Sequence, residues 1–486
     1  MGQEVELKLE LTPEAAADVV ASGVLPGAPA AHGLRSVYFD TPGRRLSSAG
    51  FSLRVRHVGD RRIQTVKASG AAAAGLFARP EWEQDVDGDR PVLDDTTPLR
   101  ALLGASVHDI VPLFDVAVER LVWTVLHEGA TVEVALDRGR VTAGERAAAI
   151  CEIELELKQG APAALFSLAR RIAAIAPLHI GVVNKAERGF RLLGPAPGAV
   201  KAAPVVLSPE MRAGDAFRRI AGECLRQFRL NEPLIAGRNP DAVHQARVAL
   251  RRLRSAFSIF APFLGDDSFA ALRAETGWLA NTLGHARDLD VILAGAEAMA
   301  PPVRARLEQA RDEAYDLALQ ELASERARAL MLDLSQWLAL GGWLSRAQGA
   351  ELRDGPARDF ASAALDRLRR KVKKGGREID TLSDEARHEV RKSAKKLRYA
   401  AEFFISLYDD KRRRRRAKRF IAALAALQDS LGLLNDLAVA PQRLKALGIE
   451  DETGAGAKAA GRRKRELLEE AAETHDAFAD AKPFWR

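Results

Sequence analysis

The first 190 residues alternate apolar and charged side chains along several short stretches. The clearest of these are residues 4–10, 51–56, 131–137 and 151–158. Because successive side chains of a β-strand point to opposite faces, a period of two predicts strands with one apolar and one charged face. Two stretches with helical spacing, near residues 13–22 and 162–176, interrupt these strands.

A segment rich in glycine and proline separates this half from a helical one. Residues 193–198 read Leu-Gly-Pro-Ala-Pro-Gly, and Pro204 and Pro209 follow. From about residue 208 onward the spacing of apolar residues is helical, with abundant Ala, Leu, Arg and Glu. We therefore predict a domain at 1–192, a linker at 193–207 and a helical domain at 208–486.

The helical half contains an internal repeat. Residues 244–254 match residues 388–398 at an offset of 144. Further on, a Leu-Gly pair followed by Asp-Leu recurs at an offset of 148, with Gly284 and Gly432 in equivalent positions. Two matches in the same order at nearly the same offset predict a duplicated helical unit, in which these glycines are structural.

Positive charge is concentrated late in the chain. The formal net charge is +7, but residues 361–420 alone carry 21 Lys/Arg against 9 Asp/Glu. This asymmetry predicts an anion-seeking surface in that region. Two cysteines exclude a disulfide framework and are typical of a reducing compartment. No secretory signal and no apolar run of about 20 residues is visible, so we expect a cytoplasmic protein without a membrane partner.

The charged faces of the predicted strands divide their charges by sign. The carboxylates are Glu4, Glu6, Glu152, Glu154 and Glu156, and the cations are Arg54, Arg56, Lys67, Arg120 and Lys185. A single charged strand face ordinarily meets water, but this division recurs over several strands. If the strands close into a barrel with these faces inward, the carboxylates can hold a divalent metal and the cations can bind a polyanion.

The first half resembles the CYTH superfamily, the triphosphate tunnel metalloenzymes. Its Glu-x-Glu-x-Lys signature is present at Glu4, Glu6 and Lys8. Further matching motifs are residues 38–42, 53–56, 65–67, 79–83, 152–154 and 184–189. The resemblance implies an α+β fold, an eight-stranded antiparallel tunnel barrel that binds linear triphosphate with Mg²⁺ or Mn²⁺.

The resemblance also implies roles for individual residues. The catalytic residues would be Glu4, Glu6 and Lys8. The metal ligands would be Glu4, Glu6, Glu152 and Glu154. The substrate-binding cations would be Lys8, Arg54, Arg56, Lys67, Arg120 and Lys185. Glu83 and Asp137 are weaker candidates for the carboxylate set, and Glu156 and Lys158 are expected to pair with each other or with solvent.

The second half resembles the CHAD domain, an all-α module that binds polyphosphate. Positions i, i+3, i+7 and i+10 share one helical face, so each repeat presents a basic stripe. The first stripe is His244, Arg247, Arg251 and Arg254, and the second stripe is His388, Arg391, Lys395 and Arg398. The basic run 411–416 is less specific: it could extend a groove, touch nucleic acid nonspecifically or solubilise a helix start.

Together these features predict a multidomain protein, a tunnel barrel followed by duplicated helical bundles. The predicted function is metal-dependent hydrolysis of inorganic triphosphate to pyrophosphate and phosphate, with long-chain polyphosphate as a second partner. Thiamine triphosphatase and adenylate cyclase of the same superfamily are alternatives, as is a noncatalytic polyphosphate- or nucleic-acid-binding protein. Nucleic acid is not expected, because no basic platform interleaved with aromatic residues is present.

Overall fold

The computed structural model describes residues 2–68, 71–73, 75–196, 198–295, 299–446 and 455–486. The chain forms two compact units. The first unit comprises Met1–Val200 and Leu322–Gly341, and the second comprises Lys201–Glu321 and Gly342–Arg486. The segment 322–341, which lies within the predicted helical domain, thus belongs to the first unit.

The described part of the first unit contains one antiparallel sheet. Its strands are β1 (Gly2–Glu10), β2 (Ala30–Asp40), β3 (Phe51–Val58), β4 (Arg61–Ala68), β5 (Ala71–Ala73), β6 (Leu76–Asp85), β7 (Val111–His127), β8 (Ala130–Ala143), β9 (Arg146–Gln159) and β10 (His179–Ile180). Eight of them close a barrel in the order β1-β9-β8-β7-β2-β3-β4-β6, because β6 pairs back onto β1. The short strands β5 and β10 add to β6 and β1. The predicted eight-stranded antiparallel barrel is confirmed.

The first unit also contains helices. They are α1 (Pro13–Ala21), α2 (Arg45–Ser48), α3 (Leu99–Leu103), α4 (Ala163–Ala173), α5 (Lys185–Leu192) and α10 (Glu325–Leu340). Among them, α5 packs against Tyr38 and Phe114 and reaches the lumen. Leu53, Val55 and Val66 point outward from β3 and β4 into a fully buried core that includes Leu46 and Leu99. Because side chains alternate along a strand, the intervening positions point into the barrel. The apolar face of β3 and β4 therefore builds the outer core, and the inward face carries both charged side chains and a buried apolar cluster around Tyr38 and Phe114.

The second unit is helical in its described part, as predicted. Its helices are α6 (Ala213–Asn231), α7 (Pro240–Leu264), α8 (Phe269–Ala294), α9 (Pro301–Ala323), α11 (Ala350–Asp354), α12 (Ala357–Gly375), α13 (Asp384–Phe404), α14 (Lys411–Ala446) and α15 (Ala455–Asp480). Phe217, Phe260, Phe263, Trp343 and Phe360 form an aromatic cluster in its core. This core holds α6, α7 and α12 together.

One described segment, Lys411–Ala438 in α14, is long and apolar enough to cross a membrane by length and composition alone. Of its most apolar window, 39% is buried inside the protein. A buried core helix meets the same criteria, so this segment is weak evidence for a membrane span.

Candidate functional site

The lumen of the barrel is lined by charged side chains and encloses a cavity of about 240 Å³. Nine of the ten barrel residues singled out from the sequence line it: Glu4, Glu6, Lys8, Arg54, Arg56, Lys67, Arg120, Glu154 and Lys185. The tenth, Glu152, is fully buried and contacts the lining residues Lys8 and Lys185. The structure therefore brings this whole set into one space.

Three carboxylates form an acidic triad in the lumen. One oxygen each of Asp137 on β8 and of Glu152 and Glu154 on β9 lies within 4.8 Å of the others. Asp137 pairs opposite Glu152, and Glu154 follows two residues later on the same face. Divalent cations such as Mg²⁺ take carboxylate oxygens, so the triad fits a metal ion. Glu4 and Glu6, predicted to share the metal, are not part of this triad.

Three cations neutralise the acidic triad. The Lys8 ammonium lies 3.0 Å from one of its carboxylates and contacts a second. The Lys185 ammonium lies 2.6 to 2.8 Å from all three, and Arg120 bridges two of them at 2.6 and 2.7 Å. Burial by itself would raise the pKa of Glu154, but these cations hold that pKa well below its usual value of 4.5. This member of the triad is therefore ionised at neutral pH.

Glu4 and Glu6 form a second acidic pair with its own cations. The Lys67 ammonium lies 2.8 Å from both oxygens of Glu4, and Arg79 lies 3.3 Å from Glu4 and 2.8 Å from Glu6. Burial would raise the pKa of Glu4, yet Lys67 and Arg79 lower it to about 2. Burial, followed by the nearby Glu154, raises the pKa of Glu6. The second pair therefore lies close enough to the triad to feel its charge.

Arg79 and Asp137 hold central positions in the lumen. The sequence places Arg79 only within a matching motif and makes Asp137 only a weaker carboxylate candidate. Strand register places Arg79 opposite Glu4, and Asp137 opposite Glu152. A period-two series was available in both cases: Arg79, Glu81 and Glu83 along β6, and Glu133, Ala135 and Asp137 along β8. The other weaker carboxylate candidate, Glu83, is not part of the acidic triad and instead accepts a hydrogen bond from the Thr65 hydroxyl at 3.0 Å.

Lys185 reaches the lumen from a helix, and its prediction as a strand residue is wrong. It is the first residue of α5, where Asn184 caps the helix by accepting a hydrogen bond from the Glu187 backbone N–H at 2.8 Å. One turn later, Arg188 contacts Glu10 and also lies near the triad. The helix therefore adds Lys185 to the lumen and places Arg188 beside the triad, 3.4 Å from Glu152.

Arg54 and Arg56 differ from the other lumen cations, because neither forms an ion pair with any described residue. Arg54 donates a hydrogen bond to the Tyr38 hydroxyl at 3.4 Å. The Nε atoms of both arginines are buried without a hydrogen-bond partner. Burial, then repulsion from Arg54 and Arg120, lowers the pKa of Arg56 to about 10. Glu81 attracts Arg54 and Glu83 attracts Arg56, but neither carboxylate lies within ion-pair distance. Buried guanidiniums without a direct partner are costly, so this pair can accept a further anionic group.

In the second unit, the two predicted stripes face each other. The first stripe lies on α7 and the second on α13, and these helices pack together. Burial, then repulsion from Arg251 and Arg247, lowers the pKa of Arg391. Burial, then the surrounding arginines, lowers the pKa of Lys395 to about 7. These arginines are Arg391, Arg251, Arg247 and Arg398. The central members of both stripes therefore share one cationic cluster.

The ends of the stripes lie in different surroundings. His388 shares a hydrogen bond with Asn435 at 2.8 Å, whereas burial and Arg287 lower the pKa of His244. Arg398 lies 3.6 Å from Glu402. Arg254 is next to Arg273 of α8. The histidines and Arg254 thus lie at the margins of the cluster.

The repeated Leu-Gly…Asp pattern supports the stripes. A Cβ atom at Gly284 would lie 3.3 Å from the Arg247 guanidinium, and one at Gly432 would lie 3.7 Å from that of Arg391. Asp288, four residues after Gly284, pairs with Arg247 at 3.0 Å. Both glycines thus lie beside an arginine of a stripe; a Cβ atom would crowd that arginine at Gly284, whereas 3.7 Å at Gly432 is an ordinary contact distance.

The fold and the site together define a closed antiparallel tunnel barrel whose lumen holds an acidic triad and two guanidiniums that form no ion pair with a described residue. Two family models match the chain. The CYTH domain model matches residues 2–190, and the CHAD domain model matches residues 219–445. The chain therefore belongs to the CYTH family over its barrel and to the CHAD family over its helical half.

Curated relatives match part of the chain. The inorganic triphosphatase of Haemophilus influenzae is 29% identical over 207 residues, which are 40% of this chain and 55% of that protein. An uncharacterized protein of Mycobacterium tuberculosis (strain CDC 1551 / Oshkosh) is 30% identical over 201 residues, or 38% of this chain and 39% of that protein. The chain thus spans about half or less of the length of these relatives.

Two solved structures each match one half of the chain. The CHAD domain from the plant Ricinus communis is 30% identical and covers 58% of this chain and 94% of that chain, with a TM-score of 0.47. A Hippeastrum protein described as a candidate adenylyl cyclase with dominant triphosphatase activity is 20% identical. It covers 37% of this chain and 92% of that chain, with a TM-score of 0.29.

Proposed function

We propose that residues 1–192 form a metal-dependent triphosphatase domain that hydrolyses inorganic triphosphate to pyrophosphate and phosphate. Residues 193–207 would link it to a polyphosphate-binding domain at 208–486. One observation carries the proposal: an acidic triad and the unpaired Arg54 and Arg56 face the same lumen. The Haemophilus influenzae relative, an inorganic triphosphatase, supports it.

The cations of the lumen would bind the substrate. Arg54 and Arg56 take the first phosphate oxygens, because no carboxylate of the described residues is within ion-pair distance of either guanidinium. Lys8, Lys67, Arg120 and Lys185 then exchange carboxylate oxygens for phosphate oxygens. Since a linear triphosphate carries charge along its whole length, cations on several strands and on α5 can hold it at many points.

The acidic triad would hold Mg²⁺ or Mn²⁺, which supplies charge neutralisation at phosphate oxygens. Glu4 and Glu6 are proposed to complete the catalytic carboxylate set, because Glu6 lies close enough to Glu154 for its pKa to rise. Hydrolysis joins a water oxygen to the terminal phosphorus and breaks the bridging P–O bond, so that pyrophosphate leaves. Such phosphoryl transfer depends mainly on positioning and charge, and it needs no side-chain nucleophile.

A second cavity favours a triphosphate ester as the alternative substrate. It measures about 510 Å³ and shares Lys67 and Arg79 with the lumen. Its walls include Phe51, Phe77 and Phe190. An aromatic cavity beside a phosphate-binding lumen offers room for an organic group attached to the triphosphate, as thiamine triphosphate or ATP would require.

Arg56→Ala is expected to lower kcat/KM for triphosphate by roughly a hundredfold, because a buried cation facing the substrate is lost. Arg61→Ala is the matched control. Arg61 is exposed, pairs with Asp85 at 2.9 Å and lies on β4, the partner strand of β3. Phosphate release with Mg²⁺ would measure both variants. Equal losses at the two positions would refute the assignment of Arg56 to the lumen.

For the helical domain we propose that long-chain polyphosphate binds between the two stripes. The central cluster joins cations of α7 and α13, and Arg251 and Lys395 form no ion pair with any described residue. A linear polyanion would supply the missing counter-charge and release its own counter-ions, so binding should be strongly salt-dependent.

Polyphosphate binding is expected to weaken as the pH rises above 7. In the protein without polyphosphate, burial and the nearby arginines lower the pKa of Lys395 from 10.5 to about 7. A bound phosphate would raise this pKa, because it favours the protonated amine. Affinity should therefore be constant below about pH 7 and fall between pH 7 and the pKa of the bound state. Lys395→Arg keeps its charge and should remove this dependence. Titrations from pH 6 to 9 measure it, and an unchanged pH profile in the arginine variant would contradict the role of Lys395.

A further inference from the structure

A second group of cations lies beside the stripes, around Lys396. This residue is outside the four-residue pattern of the second stripe, and its ammonium donates to the Ser258 hydroxyl of α7 at 2.6 Å. Burial, followed by Lys371, Arg273 and Arg367, lowers the pKa of Lys396. Cations from α8, α12 and α13 therefore meet at one place.

Arg254 connects this group to the first stripe. Burial, and then Arg273, lowers the pKa of Arg254. Arg254 and Arg273 also line a surface cavity of about 540 Å³ together with Trp278 and Asn281. The five residues Arg254, Arg273, Arg367, Lys371 and Lys396, here termed the lateral cluster, thus begin where the first stripe ends.

The lateral cluster has little counter-charge within the described part of the chain: Lys371 helps to lower the pKa of Glu389, but that carboxylate is already paired with Lys392 at 2.6 Å. None of its five members forms an ion pair there; Lys396 is bound to a hydroxyl and Arg367 to the Ile259 carbonyl at 3.4 Å. Some exposed cations elsewhere in the same unit are paired, such as Arg304 with Glu308 and Arg463 with Glu466, whereas others, such as Lys373 and Lys374, form no ion pair with a described residue. Like charges at short range repel, so an uncompensated group of five indicates a place for an anion.

The lateral cluster continues the stripes in space. A helix rises 1.5 Å per residue, so Ser258 lies about 10 Å further along α7 than Arg251. α7 packs on α8 and α13, and α13 packs on α12, the four helices that carry the stripes and the lateral cluster. A linear anion held between the stripes would therefore meet the lateral cluster as it leaves past Arg254.

We propose that the lateral cluster is a second anion site, which binds the continuation of a polyphosphate chain and makes affinity depend on chain length. This inference rests on the proposed polyphosphate-binding function of the stripes. Short chains would occupy the stripes alone, and long chains would contact both sites.

The test uses the full chain with Arg273→Glu and Lys371→Glu combined. Labelled polyphosphate of short and of long chain length is titrated at several salt concentrations. The long chain should bind at least about tenfold more weakly to this variant and show a reduced salt slope, while the short chain changes by less than about twofold. Arg304→Glu with Arg463→Glu is the matched control, because it changes the net charge equally at paired, exposed positions.

Three results would overturn the proposal. The first is a folded variant that binds the long chain as tightly as the control does. The second is an equal loss of affinity for short and long polyphosphate, which would mean that the lateral cluster does not bind a separate part of the long chain. The third is a loss of affinity for duplex DNA but not for polyphosphate, which would make the cluster a nucleic-acid site. Wild-type protein that binds no polyphosphate would instead refute the underlying function.

Discussion

Glu154→Gln is expected to lower kcat/KM for triphosphate by about a thousandfold, since preorganised charge in a buried site supplies much of the catalysis. Glu154 belongs to the acidic triad and contacts Lys8, Lys185 and Arg120. The amide removes one negative charge from both the metal site and the network that orients these cations. Phosphate release at increasing Mg²⁺, together with direct Mn²⁺ titration, would measure activity and metal binding separately.

Glu145→Gln is the control for this substitution. Glu145 is exposed and lies in the turn between β8 and β9, so its change should alter the rate by less than twofold. Loss of Glu154 also leaves buried lysines with less counter-charge, and thermal unfolding must show that the variant folds. If the Glu154→Gln variant does not fold, Glu6→Gln tests the role of the lumen carboxylates instead. A folded Glu154→Gln enzyme with wild-type turnover and metal dependence would contradict the assignment of the triad.

Charge reversal of Arg251 and Arg398 together is expected to weaken polyphosphate binding at least about a hundredfold in the full chain. Each substitution converts an attractive contact into a repulsive one, and the two lie on different stripes. Titration with labelled long-chain polyphosphate at several salt concentrations gives both the affinity and the number of counter-ions released.

The double variant Arg304→Glu and Arg463→Glu again provides the control of equal charge. If the folded Arg251/Arg398 variant binds as tightly as this control, the stripes are solvated helix faces. The exposed run at residues 411–416 would then be the better candidate, although Arg413 and Arg414 already pair with Asp410 and Asp409.

The barrel and the charge of its lumen could be predicted because the period of a strand is set by backbone geometry. Once Leu53 and Val55 face an outer core, Arg54 and Arg56 must face inward. In α7 and α13, the helical spacing likewise places the residues of each stripe on one face of its helix. The same spacing did not show that the two faces meet, which depends on how α7 and α13 pack.

Contacts between distant segments could not be predicted from the sequence alone. Arg79 pairs with Glu6 only because β6 closes the barrel against β1. The lateral cluster draws on four helices, and no local pattern joins its members. The helical origin of Lys185 had a local signal, since Asn184 and Glu187 form the start of a capped helix.

Phosphate release by the full chain with Mg²⁺, measured across one substrate panel, tests the central claim most directly. The panel comprises triphosphate, ATP, thiamine triphosphate, pyrophosphate and long-chain polyphosphate. We expect rapid, metal-dependent phosphate release from triphosphate and at least about tenfold lower kcat/KM for each of the other substrates. The reason is that the cations of the lumen can contact a short linear anion along its whole length. Faster turnover of ATP or thiamine triphosphate, or no release from any substrate, would contradict an inorganic triphosphatase.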